Sequence, residues 1–421
     1  MVGGAVTVVG AAVVAAIDGT GKGANVSPPC SSDVQLTAVT VATASASAAR
    51  LRRRRLGSWG LPERCAAMRR AYSRRPADDR SPTLRRMADL AASLDALAAE
   101  IEFSGVVRMD RGGTVELAAA YGEAWRGHGI ANTVETRFAT ASATKSFTAV
   151  TVVSLIDEGV LDLTTTARSV LGDDLPLIED EVTVEQLLAH RSGIGDYLDE
   201  DDEDHDLAAY LMPVPVQDLA TTEQFLAVLD GFPTKFPPGE QFAYCNGGYI
   251  VLALIAERVG GMPFHDLVHE RVCAPAGMAD TAFLRTDELA AGTALGYLEV
   301  DGRWRSNIFH LPVRGNGDGG IYTTVADVHA FWRALFAGRI VPAEWVEEKV
   351  RPHSEAEANY EYGLGFWLPH GGAVQLEGGD TGVSFRSTTY RSLDVTTTVI
   401  SNTTDGAWPV AQLIADHVTS R

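Results

Sequence analysis

The tetrapeptide Ser142-Ala143-Thr144-Lys145, running on into Ser146-Phe147-Thr148-Ala149-Val150, decides how this chain is read. Phe147, Val150, Val153 and Leu155 continue it at helical spacing. Three residues make nearly one helical turn, so the Ser142 hydroxyl and the Lys145 amine share a face. Serine is a weak nucleophile until a neighbouring base takes its proton, and a lysine whose pKa is lowered by burial can be that base. A helix N-terminus also offers backbone N–H groups to a developing oxyanion. Taken alone, the tetrapeptide fits a capped helix with one surface lysine equally well.

About a hundred residues on stands Tyr244-Cys245-Asn246, introduced by Phe236-Pro237-Pro238-Gly239. A tyrosine aimed at Ser142 Oγ can relay its proton to a leaving group, and an asparagine amide can bond both Lys145 and a substrate carbonyl. As single features these fit packing and turn residues equally well; order and spacing together make an accidental match much rarer.

Further outward, Ser81-Pro82 has the character of an N-cap and first helical residue, and Leu84, Met87, Leu90, Leu94, Leu97 and Ile101 follow at steps of three and four. Two strand-like runs, 104–109 and 114–121, are joined through Asp110-Arg111-Gly112-Gly113, and a second pair spans 383–390 and 395–401 before a closing helix at 409–418. Strands at both ends of a mostly helical middle predict an α+β fold: one antiparallel sheet assembled from both terminal parts, flanked by helices, with an inserted helical region.

The chain from about Phe103 onward resembles the class C β-lactamase, esterase and D-amino-acid peptidase family of penicillin-binding-protein-like serine hydrolases. The resemblance rests on the two motifs above and on Val184 to Gly193, Ala274-Pro275-Ala276-Gly277-Met278, Gly319-Gly320-Ile321-Tyr322-Thr323-Thr324 and Tyr362-Gly363-Leu364-Gly365-Phe366, in the family's order. It implies that Ser142 is the acylated nucleophile, Lys145 and Tyr244 its proton-handling partners, and Asn246 a positioning amide. The family's third motif, Lys or His, any residue, then Gly, matches best at Glu377-Gly378-Gly379. In that register Gly379 keeps a strand edge open to substrate, and the N–H of Asp380 with that of Ser142 forms the oxyanion hole. Glu377 then puts a negative charge where the family's lactamases attract a substrate carboxylate, unless Arg386 or Arg314 neutralises it. Gly382-Val383-Ser384-Phe385-Arg386 approaches a nucleophile elbow but ends in Arg and lies in a strand pattern, which excludes Ser384 as nucleophile.

Composition sets outer bounds. The 421 residues carry a formal charge of −20 and are 46% hydrophobic, ample for a core. Residues 1–86 hold 14 Lys and Arg against 5 Asp and Glu, so the remainder is strongly acidic and ill suited to nucleic acid. Residues 1–80, with Arg52 to Arg55, lack apolar periodicity and read as a disordered extension, with residues 81–421 the hydrolase domain. Residues 1–17 are apolar but have no leading Lys or Arg, which favours a cytoplasmic protein over an exported one and argues against a membrane span. Cys30, Cys65, Cys245 and Cys273 lack metal or disulfide spacing. Asp199 to Asp206, with His205, reads as a solvated acidic loop and not as a metal site; His190 reads as structural.

The expectation is a serine hydrolase acting on a small ester or amide, with no cofactor. A β-lactamase or D-alanyl-D-alanine carboxypeptidase is the alternative within that chemistry. A catalytically silent binding protein is the alternative outside it.

Overall fold

Gly112 and Gly113 fix the first hairpin. In the computed structural model, which describes residues 82–200, 212–357 and 359–420, β1 (Gly105–Arg111) and β2 (Thr114–Tyr121) pair with Arg111 opposite Thr114. Only the two glycines remain for the turn, both at positive φ (57° and 74°), as a two-residue hairpin of this twist requires. The strand runs two residues further than the sequence pattern indicates, through a register shift after Met109. The extension at 1–80 and most of the Asp199 to Asp206 stretch lie outside the described residues.

The other edge of β1 pairs with a strand from the far end of the chain. With β3 (Ser354–Glu357), β4 (Tyr360–Tyr362), β5 (Trp367–Pro369), β6 (Ala373–Asp380), β7 (Val383–Tyr390) and β8 (Val395–Ser401), the order is β2-β1-β8-β7-β6-β5-β4-β3. All pairings are antiparallel, and Gly105 sits opposite Ser401. This is the expected α+β sheet built from both terminal parts.

Helices cover both faces. On one, α1 (Pro82–Glu100) buries Leu90 and Leu94 with Val107, Met109, Val399 and Ile414, while Met87, Leu97 and Ile101 flank them. A buried leucine contributes about 1.5–3 kcal/mol. On the other face, α2 (Thr144–Asp157) is buried along nearly its whole length and packs beside α3 (Val184–Leu188) and α4 (Asn246–Gly260), with Phe385, Leu376 and Ile400 of the sheet in the same core. A fifth helix, α5 (Val325–Phe336), adds Phe331 and Trp332 to that core, and α6 (Ala407–Thr419) closes the chain beside α1. No helix among the described residues is long and apolar enough to cross a membrane.

Candidate active site

Ser142 does not open α2 as expected; it sits one step earlier, in a short 3-10 turn over Ala141–Ala143. Ala141 is held at φ +46°, a left-handed conformation that costs a residue with a Cβ about 1–2 kcal/mol. The turn is tied in place from both sides. Thr144 Oγ1 donates to the Ala141 carbonyl (2.7 Å) and accepts from the Ile321 N–H (3.1 Å), while the Thr140 N–H donates to the Ile321 carbonyl (3.0 Å). The Gly319-to-Thr324 stretch thus serves as the brace behind the nucleophile.

Lys145 follows on the first turn of α2, 2% exposed, with Nζ 3.0 Å from Ser142 Oγ. The same nitrogen lies 2.7 Å from Asn246 Oδ1 and 2.8 Å from the Asp318 carbonyl. Burial pushes its pKa below the ordinary lysine value, opposed by the nearby carboxylates of Asp318, Glu200 and Asp196. Tyr244 places its hydroxyl in hydrogen-bonding reach of Ser142, and burial drives that phenol well above its ordinary pKa. Its ring stacks on Trp367 (5.8 Å between centroids, 15°) and stands 4.8 Å from Lys145 Nζ.

Asn246 is aimed by its neighbours. Its Nδ2 donates to the Leu198 carbonyl (3.0 Å) and to Glu200 Oε1 (2.9 Å), which turns Oδ1 toward Lys145. Asp196, which the sequence analysis passed over, accepts the backbone N–H groups of Asn246 (2.5 Å) and Gly247 (2.8 Å) at the start of α4. Its carboxyl is pushed up to about 6, chiefly by burial. In sequence Asp196 stands three residues past the Val184 to Gly193 stretch. His190 Nδ1 accepts the Cys245 N–H (3.0 Å), and burial holds the ring neutral.

Strand β6 closes the site from the sheet side. A Cβ on Gly378 would lie 2.1 Å from the Thr140 carbonyl oxygen and 2.8 Å from the Ser142 nitrogen, so close approach demands a glycine at Gly378. Two adjacent glycines made the positions indistinguishable by sequence. Gly379 is exposed and borders the cavity beside Trp408. Beyond Gln375, which pairs with Trp367, the β5-side edge of β6 carries no further strand pairing among the described residues.

Ser142, Tyr244, Asn246 and the Glu377-to-Asp380 stretch line a cavity of about 620 Å³. A buried lysine and a tyrosine meet the Ser142 hydroxyl, an asparagine meets the lysine, and the sequence matches the Beta-lactamase family over residues 90–416. The chain belongs to that family. A penicillin-binding protein from Bacillus halodurans has a similar crystal structure, with TM-score 0.73 and 34% identity over 76% of this chain and 99% of that one. Penicillin-binding protein 4 of Amycolatopsis lactamdurans is 31% identical over 230 residues, 53% of this chain and 57% of the relative. The D-aminopeptidase of Brucella ovis is 28% identical over 284 residues, 65% of this chain and 51% of the relative. The chain thus spans little more than half the length of these two curated relatives.

Within this family site the charge of the cavity departs from expectation. Glu377 faces the cavity but does not stand alone: Arg386 Nε lies 2.6 Å from its Oε2, and Gln375 Nε2 donates to the same oxygen (2.7 Å). The expected repulsion by Glu377 is therefore largely cancelled. Arg314 plays no part in this, since its Nε donates to the Phe283 carbonyl. The negative character comes instead from Glu200, Asp318, Asp380 and Asp405, which line the same cavity. Asp318, bonded by the Tyr197 hydroxyl (2.5 Å), has its pKa raised by burial, and the half-buried Asp380 carboxyl is pushed up to about 7, chiefly by burial and then by Asp318 and Glu200. Among the described residues no group of three His, Cys, Asp or Glu side chains is placed to hold a metal ion.

Proposed function

We propose that the protein is a serine hydrolase that forms an acyl-enzyme on Ser142 from a small ester or amide. The observation that carries this reading is the set of acceptors around Lys145 Nζ. A neutral amine has two N–H bonds and one lone pair. The two carbonyl oxygens, of Asn246 and Asp318, match the N–H bonds, which leaves the lone pair for the Ser142 hydroxyl proton. Burial favours that neutral form.

The steps follow from the arrangement. Ser142 Oγ attacks the carbonyl carbon as its proton passes to Lys145, and the oxyanion is met by the Ser142 N–H and by the free edge of β6 at Gly379 and Asp380. The proton passes through the Tyr244 hydroxyl to the leaving alkoxide or amine, and the carbon–leaving-group bond breaks. Water then attacks the ester, gives its proton to the Tyr244–Lys145 pair, and the acid leaves as Ser142 is reprotonated. Relatives named as D-aminopeptidase support including amides among the substrates.

Turnover of short p-nitrophenyl esters, nitrocefin and D-amino-acid amides, with acid-quench mass spectrometry to trap the acyl-enzyme, tests this. An acyl adduct on the peptide containing Ser142 is expected. Failure of every substrate and of covalent labelling would instead favour a silent binding scaffold.

A further inference from the structure

A second cavity, of about 370 Å³, opens between the sheet and α6, with walls from β6, β7, β8 and α6. Its volume falls in the range of small-molecule pockets, roughly 300–1,000 Å³. What sets it apart is its charge. The chain carries −20, and Glu200, Asp318, Glu377, Asp380 and Asp405 line the catalytic cavity, yet among the described residues no Asp or Glu lines this second one. Arg386 does, together with His370 from the β5–β6 turn. The Arg386 guanidinium uses only Nε within the protein, on Glu377 Oε2; among the described residues neither Nη makes a hydrogen bond, nor do the hydroxyls of Tyr360 and Tyr390 in the same wall. Arg386 and Tyr390 lie in each other's field, since the guanidinium opposes the rise that burial imposes on the phenol. Asp416, whose charge also reaches Tyr390, stands outside the wall and accepts from Gln412 Nε2 (2.8 Å). Leu393, Val399, Ala411 and Ala415 make the apolar part of the lining.

We propose that this second cavity binds an organic carboxylate with a small aromatic or apolar body, the carboxylate on the Arg386 guanidinium and the body against Leu393, Val399 and the Tyr360 and Tyr390 rings. The site is separate from the one at Ser142 and goes beyond the serine-hydrolase reading. A guanidinium offers five N–H donors in a planar fork, and a carboxylate takes two of them in parallel. With Nε on Glu377, the four Nη donors remain. A cation is repelled there by Arg386, and a neutral apolar molecule leaves those donors unmatched. Glu377 competes for the same guanidinium, so it holds the affinity of the site down.

Isothermal titration calorimetry of the full chain with phenylacetate, and with its neutral isostere phenylacetamide, is the test. The acid is expected to bind at least about tenfold more tightly than the amide, the scale of one charge-assisted bidentate pair. Arg386→Met and Ala415→Trp, the second filling the cavity from α6 while Arg386 stays in place, are each expected to weaken the acid by about the same factor. Glu377→Gln, which releases the guanidinium, is expected to tighten it. Ala415 lies outside the catalytic cavity, so Ala415→Trp is expected to keep fluorophosphonate labelling of Ser142. An acid that binds no better than the amide would overturn the proposal. So would an acid that binds undiminished to Ala415→Trp, since it would then occupy the catalytic cavity as a reaction product does. The comparison of acid with amide on wild type and Glu377→Gln decides the matter even if the other two variants fail to fold.

Discussion

Arg386 Nε and Glu377 Oε2 face each other at 2.6 Å across the β6–β7 hairpin, with the Arg386 guanidinium over the Trp408 ring, 5.3 Å from its centroid. The pair is partly exposed, so its worth to stability is small. Its effect on the cavity is larger, because it decides whether Glu377 presents a net charge to substrate.

Arg386→Met therefore uncovers that charge. Two like charges ~4 Å apart cost about 4 kcal/mol at an effective dielectric of 20, an upper figure for a site open to water. The variant is expected to lose nitrocefin turnover by tenfold or more relative to a neutral p-nitrophenyl ester, and Glu377→Gln to move the ratio the other way. Wild-type enzyme is still expected to favour neutral esters over nitrocefin, on account of Asp318, Asp380 and Glu200. Steady-state kcat/KM on the two substrates measures both effects.

Much of this site was legible in the sequence. Ser142, Lys145, Tyr244 and Asn246 were identifiable because their chemistry is carried by their own side chains at a spacing that one helical turn and one loop can close. Leu90 and Leu94 revealed a helix because burial imposes a period. The register of β6 was not legible, since Gly378 and Gly379 differ only in which one meets the backbone of Thr140 to Ala143. Asp196 and Asp318 escaped because Asp196 serves two backbone N–H groups and Asp318 serves Lys145 through its carbonyl. Those are contacts that any sequence pattern leaves open.

Gly378→Ala tests the close approach of β6 to the Ser142 turn. The added methyl would sit 2.1 Å from the Thr140 carbonyl oxygen, far inside contact distance, so either β6 or the Ser142 turn must move. A loss of at least 100-fold in esterase kcat/KM is expected, a misplacement of about 1 Å being enough for that. Gly379→Ala, which meets only the edge of Trp408 at 3.2 Å, is expected to do much less. Comparable losses in both variants would contradict that close approach.

The raised pKa of Asp380 carries a stability consequence. A carboxyl at about 7 in the fold and near 3.8 when unfolded binds its proton more tightly in the native state. Its favourable contribution is full below pH 4 and lost as pH rises through 7. Asp196 at about 6 acts in the same direction, Asp110, held low by His329 and Arg108, acts only at lower pH, and the neutral buried His265 opposes. The groups bearing on Asp380 are Asp318, Glu200 and Lys145. The readout is thus a difference: between pH 5 and pH 8, Asp380→Asn is expected to lose less Tm than wild type. Equal losses by calorimetry would show that Asp380 titrates normally.

Removal of residues 1–80 is expected to leave Tm within a few degrees and esterase activity unchanged, because among the described residues the core begins with α1 at Pro82, and residues 1–80 lack core-forming periodicity in sequence. Removal through residue 100 takes Leu90 and Leu94 from the core and is expected to abolish cooperative unfolding, at ~2–5 kcal/mol for each large buried side chain lost. Thermal melts of the two truncations distinguish these outcomes.

The central claim is that Ser142 is the nucleophile, and Ser384 provides its control. Ser384 is fully buried, its Oγ donating to the Thr403 carbonyl (2.8 Å) and accepting the Ala407 N–H (3.0 Å), and neither partner is a lysine. Intact-mass and peptide mass spectrometry after fluorophosphonate treatment should show one adduct on the Ser142 peptide in wild type and in Ser384→Ala, and none in Ser142→Ala. An adduct that persists in Ser142→Ala, or maps to any other peptide of the wild-type enzyme, would contradict the assignment.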